Sequence, residues 1–280
     1  MVLFLKLFLL IHEKYLWQTR ITLNSCILVF YTICSQRKIV SKFLILMSTL
    51  ILVPQGAEYQ AVCRGLSRVP SSQAKVLAIP MGIEPVRKYL QQFTHGQANR
   101  MLMMGLCGSL SQKYQIGDIV LYQNCLYQGN LQEGNNSFTA DIHNQLGDHV
   151  SLVKGLTSDR LLYKATEKRQ LYEQSGADVV DMEGYAFLEF FQQPVSPQVQ
   201  IAILRVVSDD AHHDIPNITS AIGADGSLQP LPLAWEFIRQ PLAATRLITG
   251  SLKGLKTLTA VTQLLFTPNK IPDFLEKSGI

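Results

Sequence analysis

Carboxylates recur where the chain leaves its apolar runs. Runs at 50–53, 76–79, 101–104, 179–182 and 201–207 end on Gln55-Gly56-Ala57-Glu58, Pro80-Met81-Gly82, Gly105-Leu106-Cys107-Gly108, Asp181-Met182-Glu183 and Ser208-Asp209-Asp210, and three of these five segments carry acids. Carboxylates gathered at one edge of a sheet can transfer protons and grip hydroxyl groups, while glycines there let backbone N–H groups approach an anion or a sugar. Plainer readings stand beside these: Asp after a strand is a favoured helix N-cap, and Glu in a first helical turn complements the helix dipole. Other chemistries have less to stand on. His212, His213 and Asp214 lie together on loop-like sequence with no distant His/Cys pair, so no metal is expected, and no G-x-S-x-G elbow marks a serine hydrolase. The five cysteines, Cys26, Cys34, Cys63, Cys107 and Cys125, are odd in number and form no C-x-x-C pair, which fits a reducing, cytoplasmic setting.

The elements that must position these residues follow from hydrophobic patterning. Strand-like runs at 50–53, 76–79, 101–104, 119–122, 179–182 and 201–207 alternate with helical stretches at 58–66, 84–93, 160–174 and 184–191. The alternation predicts a single α/β domain whose central mixed sheet is flanked by helices, with ligands at the carboxyl ends of strands. With 280 residues, 47% hydrophobic and 16% charged, the chain can bury a substantial core, and disorder is excluded.

Charge divides unevenly. Residues 1–46 hold six basic groups against Glu13, a net +5, whereas the remainder holds 19 basic against 20 acidic groups, a net −1, so no nucleic-acid partner is expected. The apolar runs at 1–11 and 26–34 are shorter than the ~18 to 20 residues that span a bilayer, and the flank after Ile11 does not resemble a cleavage site. We therefore read 1–46 as translated upstream sequence or a dispensable N-terminal extension, with a membrane-tethering leader as the alternative, Met47 as the native start, 47–222 as the domain and 223–280 as a helical C-terminal extension. In that extension a long helical pattern is interrupted at Pro241, with Arg239, Arg246 and Lys253 seven residues apart and Lys256 close by. This basic stripe reads as a solvated helix face, with peripheral contact to an anionic membrane as the alternative.

Four ordered segments carry a resemblance. Met104-Gly105-Leu106-Cys107-Gly108-Ser109-Leu110, Gln115-Ile116-Gly117-Asp118-Ile119-Val120, Val180-Asp181-Met182-Glu183-Gly184-Tyr185-Ala186 and Arg205-Val206-Val207-Ser208-Asp209-Asp210-Ala211 resemble, in order and spacing, the purine nucleoside phosphorylase and nucleosidase superfamily. The resemblance implies cleavage of a purine N-glycosidic bond, which builds cationic character on the ribose and negative charge on the leaving base. It implies Asp209 as the acid at the base, Glu183 on the ribose hydroxyls with Met182 packed on the sugar, and Glu58 orienting water. Glu58 also reads as a solvated residue at a helix start. Gly82, Gly105 and Gly108 would form substrate-binding turns after strands, and Leu161 would stack on the purine.

Phosphorolytic members place an arginine before the second glycine turn and a Ser or Thr within it. Here Met103, Met104 and Leu106 stand instead, which favours water as nucleophile unless Arg87 or Arg100 reaches the site. No cofactor is expected, with inorganic phosphate a co-substrate only for a phosphorolytic reaction. Ala224-Asp225-Gly226-Ser227 and the segment after it are similar to hopanoid-associated phosphorylases, which implies an adenosine-type nucleoside such as adenosylhopane. Methylthioadenosine or adenosylhomocysteine, or binding of a nucleoside without turnover, are the alternatives. The family also implies a homo-oligomer.

Overall fold

A computed structural model describes residues 49–70, 72–93, 98–134, 136–193, 199–223 and 229–267. The readings of residues 1–46, of Met47 and of Ala224-Asp225-Gly226-Ser227 lie outside the described residues. Eight strands form one mixed sheet. Strand β1 (Thr49–Pro54) is buried along its whole length and lies parallel between β2 (Lys75–Ile79) and β3 (Arg100–Ser109). An apolar run buried on both faces is what a central parallel strand requires. Helix α1 (Ala57–Ser67) connects β1 to β2, and α2 (Ile83–Gln91) connects β2 to β3.

The remaining strands close on themselves. Strand β8 (Gln200–Asp209) runs parallel to β3 and antiparallel to β4 (Ile119–Tyr127). Strand β4 pairs with β6 (Val150–Thr157), β6 with β7 (Val179–Asp181), and β7 returns to the end of β3 at Gly108 and Ser109. The ring β3-β8-β4-β6-β7 thus removes most strand edges. Strand β5 (Asn130–Glu133) joins β4 through Gln128-Gly129, both at positive φ, as a tight hairpin turn demands.

Helices cover both faces. On one side α2 and α5 (Gly184–Phe191) pack Ile83, Val86, Leu90, Phe187 and Phe191 onto the sheet. On the other, α1, α3 (Asn136–Leu146) and α7 (Pro241–Phe266) contribute Val62, Phe138, Ile142, Leu258, Val261 and Phe266. Helix α4 (Ala165–Ser175) buries Ala165 and Lys168. The C-terminal pattern resolves into α6 (Pro230–Arg239) and α7, separated at Gln240, whose φ of −133° and ψ of 62° are not helical. Arg239 therefore sits on a different helix from Arg246 and Lys253, and the heptad spacing does not run along one helix. No helix among the described residues is long and apolar enough to cross a membrane.

The structure corrects several sequence boundaries. Gly105 and Gly108 are not turns after a strand, because β3 continues through both alongside β8, with a shift of register between Cys107 and Gly108. Asp209 is likewise the last residue of β8 rather than a helix cap. Strand β6 and helix α3 escape periodicity, and the helix expected from 160 begins at Ala165 because the preceding residues form loop.

Helix α7 reaches the core by a close crossing over α1. A Cβ added at Gly65 would lie 2.5 Å from the Thr259 carbonyl oxygen and 2.7 Å from Thr262 Cβ. Thr259 Oγ1 donates to the Ala61 carbonyl at 3.1 Å across the same contact. Gly65→Ala should consequently overpack this crossing and destabilise the protein by about 1–3 kcal/mol, read as a lowered midpoint in urea unfolding.

Candidate active site

The ends of β3, β7 and β8 and the start of α1 converge on one cavity, with Glu58, Leu106, Gly108, Leu161, Asp181, Met182, Glu183 and Asp209 in its lining. The sequence-derived acids, Met182 and Leu161 are therefore brought together by the fold, and Gly82 and Gly105 stand behind the wall.

Arg205 organises this cavity. It lies in the middle of β8, fully buried, among aliphatic neighbours. Its Nε and Nη2 donate to Asp181 Oδ2 at 3.1 and 2.8 Å, and Nη2 also reaches Glu183 Oε2 at 3.1 Å. Burial opposes its charge, but Asp181 and Glu183 together hold its pKa above the ordinary value. Nη1 is buried and finds no hydrogen-bond partner among the described residues.

Glu58 faces the same guanidinium. Its Oε2 accepts the Leu106 N–H at 2.7 Å. A Cβ at Gly105 would collide with both Arg205 Nη1 and Glu58 Oε2, so glycine is required there to let the two groups approach. Burial pushes the Glu58 carboxyl up to about 7, Arg205 pulls it down and Glu183 pushes it up again.

Glu183 is the N-cap residue of α5, yet its side chain makes no capping bond. Oε1 instead accepts the Gly82 N–H at 2.9 Å and Oε2 takes Arg205. Desolvation raises the Glu183 pKa, against the opposing pull of Arg205. Gly82, at φ 93°, is a turn glycine as expected, but its N–H serves Glu183 and is spent inside the protein. Asp181, the third carboxylate, accepts from Thr157 Oγ1 at 2.8 Å and from the Gly184 N–H at 3.1 Å, so it acts as an anchor.

Asp209 forms a second centre. Ser208 Oγ donates to Oδ1 at 3.0 Å, and Lys168 Nζ, fully buried, donates to Oδ2 and to the Asp210 carbonyl at 2.9 Å. Gly108 gives this carboxylate its space, since a Cβ there would lie 2.8 Å from Oδ2. Asp209 is thus held from both sides at the cavity wall.

Two residues were missed by sequence reasoning in the sense that no role was assigned to them. The signal for Arg205 was a single cation inside an otherwise apolar run at 201–207. Lys168 carried no comparable signal, because α4 is largely polar and a buried lysine cannot be told there from solvated ones. The arginines considered from sequence are engaged elsewhere. Arg87 pairs with Glu84 and Glu189 at 2.6 and 2.8 Å, and Arg100 with Asp141 at 3.0 Å. His213 Nδ1 lies 3.0 Å from Asp210 at the surface, and no cluster among the described residues is arranged to hold a metal.

Removing one partner of a buried charge cluster leaves the others uncompensated. Arg205→Met, similar in length but neutral, should destabilise the fold by about 3–5 kcal/mol in urea unfolding, because Asp181 and Glu183 stay buried without their cation.

Comparisons with known proteins agree with this architecture. A search of curated proteins finds no match. Among solved structures, the chain is similar to futalosine hydrolase of Helicobacter pylori, with TM-score 0.58 and 15% identity over 79% of this chain and 97% of that one. It is also similar to a 5′-methylthioadenosine/S-adenosyl homocysteine nucleosidase from Helicobacter pylori, with TM-score 0.55 and 15% identity over 77% and 97% of the two chains. The 5′-methylthioadenosine nucleosidase of Arabidopsis thaliana matches with TM-score 0.53 and 16% identity over 80% and 98%. At these identities the likeness establishes the fold. The family model for the phosphorylase superfamily matches residues 61–224, more than half of the chain and the stretch that carries Glu183, Arg205 and Asp209, and the chain belongs to that superfamily.

Proposed function

We propose that the protein cleaves the N-glycosidic bond of an adenosine-type purine nucleoside, with water as the nucleophile, and releases the free base. One observation carries the choice of water. The backbone N–H of Leu106, at the cavity wall, is already taken by Glu58 and is not free to hold a phosphate. A phosphate dianion there would also meet Glu58, Glu183 and Asp181 around a single guanidinium, an arrangement dominated by like charge. Water carries no such penalty, and it can donate to Glu58, which lines the cavity.

The other residues divide the remaining tasks. A carboxylate offers about four lone-pair sites, and Glu183 uses one on Gly82 and one on Arg205, leaving acceptor capacity for the ribose hydroxyls. Met182 supplies an apolar surface for the sugar and Leu161 one for the base. Glu58 and Glu183 place negative charge beside the ribose, where positive charge develops as the bond breaks. Asp209 delivers a proton to the departing purine, and Lys168 positions it by fixing Oδ2. The bond to the base breaks, water oxygen bonds to the ribose carbon, and the water proton passes to Glu58. Adenosylhopane and methylthioadenosine both present this adenosine unit, and the cavity residues named here address that shared part.

The test is base release from adenosine, methylthioadenosine, adenosylhomocysteine and detergent-solubilised adenosylhopane, each with and without phosphate. Release independent of phosphate is the expected outcome, whereas strict phosphate dependence would overturn the assignment of water. Glu58→Gln and Asp209→Asn should each lower kcat by about 10²–10⁴. The pH dependence has a definite sign. Glu58 must be ionised to accept the water proton, and burial holds it at about 7, so kcat/KM should rise with pH through about 7 and decline below it.

A further inference from the structure

The molecule carries an apolar face that its own core leaves open. Helix α6 places Leu231, Ala234, Trp235 and Ile238 at i, i+3, i+4 and i+7, the stripe an amphipathic helix ordinarily turns inward. Here it faces outward, with Leu231, Trp235 and Ile238 exposed by 85%, 60% and 72%. Leu242, Ile248 and Leu252 of α7 extend the exposed face. Six of the eight large exposed hydrophobic residues among those described lie in these two helices, so the patch is a local feature rather than ordinary surface scatter.

The charges around the patch decide what fits it. Arg239, Arg246 and Lys253 are all exposed, and Glu236 is the one acid in residues 230–267. We propose that this face docks the protein peripherally on an anionic lipid surface. Apolar side chains including a tryptophan, bordered by cations, form the pattern of a helix that lies in a membrane interface. A two-fold contact with a second copy would instead set this cation-rich face, with its one acid, against the same cation-rich face. The helices lie on the bilayer and do not span it. Leu247 and Ser251, also on α7, line the cavity, so docking and catalysis use different residues of the same helix. This inference stands independently of the proposed reaction.

The test is flotation of the full chain with vesicles of phosphatidylcholine alone or with about one third phosphatidylglycerol. The protein should float with the anionic vesicles and be released by salt, since each basic group near such a surface contributes about fivefold to binding. The triple variant Arg239→Gln, Arg246→Gln, Lys253→Gln should weaken binding by about a hundredfold. Trp235→Gln with Ile238→Gln should abolish retention while the thermal melt stays that of the parent. Should that pair fail to fold, the charge variant alone decides. Absence of the parent from the anionic fraction, equal binding to neutral vesicles, or an unaffected charge variant would overturn the proposal. So would a lipid-free dimer that Trp235→Gln converts to monomer, which would assign the face to a second copy.

Discussion

A single buried guanidinium holds together the end of the sheet that forms the cavity. Arg205 sits inside a strand with no access to water, a placement that is costly for a lone cation. Asp181 and Glu183 compensate it, and each is in turn fixed by Thr157, Gly184 or Gly82. The cluster does more than neutralise charge. Glu183 is aimed by Arg205, and Glu58 is drawn toward the same side.

The backbone is shaped around that cluster. Gly105 lets Arg205 and Glu58 approach, and Gly108 leaves room for Asp209, so the two glycines in β3 serve two different carboxylate centres. Both positions lie inside strand β3 and not in a turn, Gly108 just after a shift of register against β8, because what is needed there is the absence of a side chain. Closure of the ring β3-β8-β4-β6-β7 brings the ends of β7 and β8 to the same end of the sheet, so acids from distant parts of the chain meet without a long connecting loop. The membrane-facing surface proposed for α6 and α7 lies on elements that also support this core, since α7 buries Leu258, Val261 and Phe266 against α1 and the sheet.

Much of the site was legible because strand ends write themselves plainly in sequence. The runs before Glu58, Glu183 and Asp209 are apolar, and an acid that ends such a run stands out. The strand limits were harder. Glycines inside β3 break an apolar pattern just as a turn would, and only pairing with β8 distinguishes the two. Strand β6 was invisible for a related reason: Ser151, Lys154 and Gly155 interrupt its apolar residues, so no continuous apolar run marks it.

By itself the sequence determined the α/β class and the order of the central elements, because each depends on local composition and on short-range periodicity, and it offered Glu58, Glu183 and Asp209 through their resemblance to family motifs. The tertiary structure alone decided that Arg205 is the partner of Asp181 and Glu183, that Lys168 holds Asp209, and that the N–H groups of Gly82 and Leu106 are spent on Glu183 and Glu58. It also decided that the stripe of α6 faces outward. Each of these is a contact, or the lack of one, between segments far apart in the chain. A charge or an apolar side chain has the same local pattern whether its partner is water, a distant residue or nothing at all, so only the assembled fold can tell them apart.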